Sequence, residues 1–110
     1  MTIATNSDQL HGTLDMLVLK VLREGPLHGY AIAVRLERMS NDVLSVEEGS
    51  LYPALYRMER RGWLTSSWSV TESGRRARFY KHTRSGRAQL EAETASWLRL
   101  TTAVGNVLNS

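Results

Sequence analysis

The chain contains no cysteine, so disulfides and thiolate metal sites are excluded. Its three histidines, His11, His28 and His82, are scattered and show no paired metal-ligand spacing. No apolar run approaches the ~20 residues needed to span a bilayer, so no membrane association is expected. The opening stretch MTIATNSDQLHG lacks a charged region followed by an apolar one, so no signal peptide is evident. A soluble cytoplasmic domain is the expectation. Nucleophile-elbow patterns and phosphate-binding glycine loops are also missing. Glu91 and Glu93 are too close along a helix to face each other as an acid–base pair. Neither an enzyme nor a cofactor is expected. Proline occurs only twice, at Pro26 and Pro53.

Negative charge is scarce in one segment. Residues 57–87 hold nine basic side chains against Glu59 and Glu72, a net charge of +7, whereas the rest of the chain carries −4. Such clustering is an electrostatic footprint for a polyanion. At 110 residues the chain is one domain. A chain this short buries only part of its surface, which favours a partner.

The periodicity predicts a first helix over 10–23, from Leu10, Leu14, Leu17, Val18, Val21 and Leu22, ended by Gly25-Pro26. A second helix runs from His28 to Met39 on a stripe of Ile32, Ala33, Leu36 and Met39, and Ser40-Asn41-Asp42 is turn chemistry. A third helix carries GSLYPALYRMERRGW, closed by Gly62. Its start is signalled twice. Ser45 and Glu48 have capping-box spacing, and Glu47 is the alternative cap. Leu51, Ala54, Leu55 and Met58 share the core face, opposite Gly49, Pro53, Tyr56, Arg57 and Arg60. The hydroxyls and guanidiniums of that outer face suit phosphate oxygens and base edges. Pro53 crowds the carbonyl of Gly49, whose backbone freedom absorbs the strain.

After Gly62 the period shortens. WLTSSWSV (63–70) and ARFYKHT (77–83) read as a hairpin with a basic tip, with Phe79 and Lys81 on one face and Tyr80 and His82 on the other. Thr83 then caps a last helix over 84–106. Helix, helix, helix, strand, strand, helix is the outline of a winged helix-turn-helix, mainly α with a small β-hairpin. Such modules also serve in protein recognition, so an acidic protein partner is the rival to DNA.

HGY (28–30), EGSLYPALYRMERRGWL (48–64) and ESGRRARFYKHTRSGRAQL (72–90) resemble the PadR family of bacterial transcriptional regulators over residues 10–98. The resemblance implies a homodimeric DNA-binding repressor of the short type, with a single helix after the wing. By motif, Ser50, Tyr52, Pro53 and Tyr56 match the segment facing DNA, and Arg75, Arg76 and Arg78 match the wing. Arg57 joins them from the helix face. Lys81 either reaches a phosphate or snorkels into solvent. Gly29 allows close helix approach, and Tyr30 is expected in the core. His82 stands where the family has an aliphatic residue, and Val46-Glu47-Glu48 makes the approach to the third helix acidic. These expectations divide the chain into a disordered tail (1–8), a winged helix-turn-helix DNA-binding domain (9–83) and a C-terminal dimerisation helix (84–110).

In that last helix Leu90, Thr94, Trp97, Thr101, Val104 and Leu108 form a heptad seam, with Leu98 and Leu100 beside it. Two-fold pairing would bury the seam, with Leu14 contributed by the first helix. It would also set two third helices about 34 Å apart on a pseudo-palindromic operator in double-stranded DNA. Trp97 either fills the interface or borders a cavity for a small aromatic effector that relieves repression.

Overall fold

Leucines and a valine of the first helix and of the turn that follows it set the centre of the molecule. In the computed structural model, residues 2–3 and 8–110 are described, with side chains from Gly12 onward. The first helix, α1 (Asp8–Val21), passes into a 3₁₀ turn at Leu22–Glu24. Leu14, Val18, Leu19 and Leu22 are completely or almost completely buried. Around them close Ile32 and Leu36 of α2 (Gly29–Met39) and Leu51, Leu55 and Met58 of α3 (Glu48–Arg60). The predicted stripes are therefore the core faces, except at Met39, which is exposed at the end of α2. The side chain of Leu10 lies outside the described residues.

Short strands tie the helices together. β1 (Thr2–Ile3) pairs in parallel with β3 (Ser45–Val46). Of the stretch expected as a tail, residues 1 and 4–7 lie outside the described residues. β2 (Leu27–His28) forms one edge of a three-stranded antiparallel sheet ordered β2-β5-β4, in which β4 is Leu64–Val70 and β5 is Arg76–His82. Two-residue strands leave no period to read, which is why only the hairpin was legible. Its register sets Leu64 opposite His82, Ser66 opposite Tyr80, Trp68 opposite Arg78 and Val70 opposite Arg76. Directly opposed residues share a face. The face holding Leu64 and Tyr80 packs into the core at its base and emerges into solvent toward the hairpin tip.

The last helix, α4 (Arg84–Leu108), is rooted firmly. The Thr83 hydroxyl accepts from Gly86 N–H at 3.0 Å and donates to the Gly62 carbonyl at 2.6 Å. Gly86 lies so close to the Trp63 carbonyl that a Cβ there would sit 2.1 Å from the oxygen. Leu90 is buried in the core. Beyond it α4 runs out along α1 and then into solvent, giving the molecule extents of 54 × 29 × 25 Å.

Candidate nucleic-acid interface

Helix α3 presents one edge to solvent beside the hairpin. Its N-cap is Glu47, and the side chain makes no capping bond. The alternative box does not form, because Ser45 belongs to β3. The Glu47 carbonyl instead accepts from Ser50 and Leu51 at 3.0 and 2.9 Å. At the far end Gly62 has φ 81°, its N–H bonds Glu59 O and that of Trp63 bonds Met58 O. These are the paired bonds of a Schellman stop, which glycine permits at no steric cost.

Between those ends the outer residues separate into two groups. Tyr52, Pro53, Tyr56 and Arg60 are exposed. Tyr52 sits near enough to Tyr80 of the hairpin to act on that hydroxyl. Its ring lies against Gly29, where a Cβ would approach to 2.7 Å, so Gly29 is the close-approach residue that the sequence suggested. The other two depart from expectation. Ser50 is buried, only 8% exposed. Arg57 turns inward and bonds Asp15 of α1 at 2.6 Å, with side-chain exposures of 22% and 5%. On a helical wheel Arg57 lies opposite the core stripe, but α1 crosses there and supplies the buried carboxylate that claims it. Tyr30 departs in the other direction, 65% exposed where core packing was expected.

Arg75 and Arg76 are exposed at the hairpin tip. Arg78 is held: its Nε donates to Ser66 Oγ at 2.7 Å and a terminal nitrogen lies 3.6 Å from Glu59. Ser66 in turn donates to Glu59 at 2.7 Å, tying β4 to α3. Lys81 is exposed on the opposite face of β5, shared with Phe79 and turned from α3. His82 is enclosed, and both ring nitrogens lack a hydrogen-bond partner.

A cleft of about 430 Å³ separates α3 from the hairpin, lined by Tyr56, Glu59, Arg60, Arg78 and Tyr80. Burial pushes the Tyr80 hydroxyl above the usual tyrosine range, and the neighbouring Glu59 carboxylate adds to the effect. Arg60 stacks over Tyr56 at 5.8 Å, and Arg76 and Arg78 lie 5.2 and 5.8 Å from the ring of Trp68. Trp68 is a residue that sequence pattern alone does not single out. A tryptophan in a strand pattern reads as core, yet Trp68 is 57% exposed. The available signal was the register, which sets it opposite Arg78.

The expected dimer residues also divide. Leu14 and Leu90 belong to this chain's own core, at 0% and 7% exposure, because α1 and the root of α4 pack on each other. Thr94, Trp97, Thr101 and Val104 are exposed. No helix among the described residues is long and apolar enough to cross a membrane.

Three packed helices, a hairpin wing and a basic face spanning the two define a winged-helix DNA-binding protein. Known proteins narrow the class. Residues 18–92 match the transcriptional regulator PadR-like family, and the chain belongs to that family, one of DNA-binding regulators rather than enzymes. A PadR family transcriptional regulator from Eggerthella lenta is 36% identical, with a TM-score of 0.73 over 89% of this chain and 80% of that one. A PadR-like transcriptional regulator from Bacillus cereus is 29% identical, with a TM-score of 0.78 over 94% and 99%. A 37.1 kDa protein in transposon TN4556 of Streptomyces fradiae is 44% identical over 85 residues, 77% of this chain and 23% of that longer protein.

Proposed function

We propose that the protein is a cytoplasmic, homodimeric repressor that binds a pseudo-palindromic operator and is released by a small, flat hydrophobic effector. The observation that carries this reading is the bare apolar side of α4. Trp97, Leu98, Leu100, Val104, Val107 and Leu108 are all at least 40% exposed, on a helix that leaves its own domain behind. So much contiguous apolar surface marks an interaction site. A second copy covers it by two-fold pairing, with Thr94, Trp97, Thr101 and Val104 in the seam.

In this dimer Tyr52, Pro53, Tyr56 and Arg60 of each α3 face the major groove, and Arg75 and Arg76 of each wing meet phosphates. Ser50 and Arg57 hold the helix in place. Trp97 borders a recess of about 260 Å³ between α1 and α4, shared with Thr13, Met16, Glu93 and Leu100. A planar ligand wedged there changes how α4 packs and hence the spacing of the two α3 helices.

Selection of sheared genomic fragments by the purified protein, followed by sequencing, tests the core of this reading. Enrichment of a two-fold motif with half-sites about one helical turn apart supports it. Fragments sharing no motif would mean attraction by charge alone, and a protein partner would replace the operator. For the effector, a planar ligand that quenches Trp97 emission without weakening operator binding would remove the coupling.

A further inference from the structure

Trp68 has no role in the fold that explains its size. It stands 57% exposed on the face of the hairpin that α3 packs against, next to Val70 at 59%. Two guanidiniums lie over it, those of Arg76 and Arg78. Arg78 also lines the cleft beside α3, whose opposite wall carries Arg60 stacked on Tyr56. The cleft is thus flanked by two aromatic–arginine units, one on the helix and one on the wing. Glu59 lies between them, but its carboxylate is engaged by Ser66 and Arg78. Arg60 and Arg76 make no ion pair among the described residues. The positive charge left free at the rim therefore belongs to arginines whose guanidiniums lie over aromatic rings.

We infer that Trp68 and Arg76 form, with Tyr56 and Arg60 across the cleft, a clamp for the sugar–phosphate backbone of DNA. The inference rests on the DNA-binding reading and adds to it the contact that fixes the wing. An arginine stacked on an indole keeps its in-plane N–H groups free, and a phosphate oxygen lies within their reach. Stacking removes rotamer freedom before DNA arrives, so less is lost on binding. The indole itself stays open on its solvent side, where the apolar face of a deoxyribose fits. Charge complementarity selects this occupant: the rim is cationic, and the one carboxylate in the cleft is already neutralised.

The test uses the full chain carrying Trp63→Phe and Trp97→Phe, so that emission reports Trp68 alone. It is titrated with a mixed-sequence duplex and with the operator-bearing fragments. Trp68 emission should shift to shorter wavelength on binding, as water leaves the indole. Trp68→Ala should weaken binding to both duplexes about tenfold, and Trp68→Phe about threefold at most, since a smaller ring still holds the guanidinium. In an Arg76→Ala background the Trp68→Ala loss should shrink to about twofold, because the ring acts through the arginine. Circular dichroism melting of each variant should match the parent, as expected for an exposed side chain. DNA binding with unchanged Trp68 emission and full affinity in Trp68→Ala would overturn the clamp and leave the regulator intact. Failure of the unsubstituted protein to bind either duplex would overturn both.

Discussion

Arg57 is the residue at which structure and pattern part most sharply. Set among exposed neighbours, it looks like a reader of bases. Its partner Asp15, 42 positions earlier, makes it a strut between α1 and α3. Truncating one member of a buried pair leaves the other charge stranded. Arg57→Ala should therefore destabilise the fold by about 3 kcal/mol in urea titrations. Arg60→Ala should leave stability within about 0.5 kcal/mol and weaken DNA binding instead. Equal effects on stability from the two variants would refute the distinction. Tyr80 supplies a pH signature. Its hydroxyl titrates higher in the folded chain than in the unfolded one, chiefly through burial. Stability from the neutral phenol is complete below the ordinary tyrosine value of about 10. It is lost as pH rises from there through the folded value, because the unfolded chain releases its proton first. Tyr80→Phe should flatten that alkaline decline in denaturation midpoints measured between neutral pH and roughly pH 11.

At the scale of elements, the legible parts were those whose side chains repeat. The stripe Leu51, Ala54, Leu55 and Met58 is buried as a unit, and the alternation in β5 put Tyr80 and Lys81 on opposite faces, of which Tyr80's proves the inner. Tyr30 and Ser50 were placed by motif and Leu14 by two-fold pairing, and neither tells which neighbour crosses a given face. Only the packing of α1 on α3 and α4 decides whether a given face meets water, its own chain or another molecule. The wing–α4 junction is legible only in part: Thr83 was expected as the cap, but nothing marks Gly86 in the first helical turn until the Trp63 carbonyl is found above it. Gly86→Ala should force the first turn of α4 away from Trp63, because the obstacle is backbone and cannot rotate aside. We expect a loss of about 3 kcal/mol in thermal or urea unfolding. Thr83→Ala, which removes the cap and the hydroxyl's bond to the Gly62 carbonyl but adds no clash, should cost about 1 kcal/mol. If Gly86→Ala were as mild as Thr83→Ala, the close packing would be wrong.

For the whole molecule, the decisive quantity is what covers α4. In the proposed dimer, Leu100→Glu with Val104→Glu places like charges in a dry seam. Light scattering on size-exclusion eluates should then report a monomer, while the parent runs at twice the mass. The variant should keep its winged domain folded, since that core excludes both positions, and lose operator affinity as the second half-site falls away. A monomer in both cases would remove the dimer from the model of function.

The rooting of α4 has a mechanical consequence. Thr83, Gly86 and Leu90 grip its first turns against the wing and core, so the helix is a cantilever and not a tether. Its 25 residues reach about 37 Å. A tilt of roughly 5° at the free end's partner displaces a body at the root by about 3 Å. That is close to the rise of one base pair, so in the proposed dimer a small strain near Trp97 would be geared up into a whole step of misregister along the duplex.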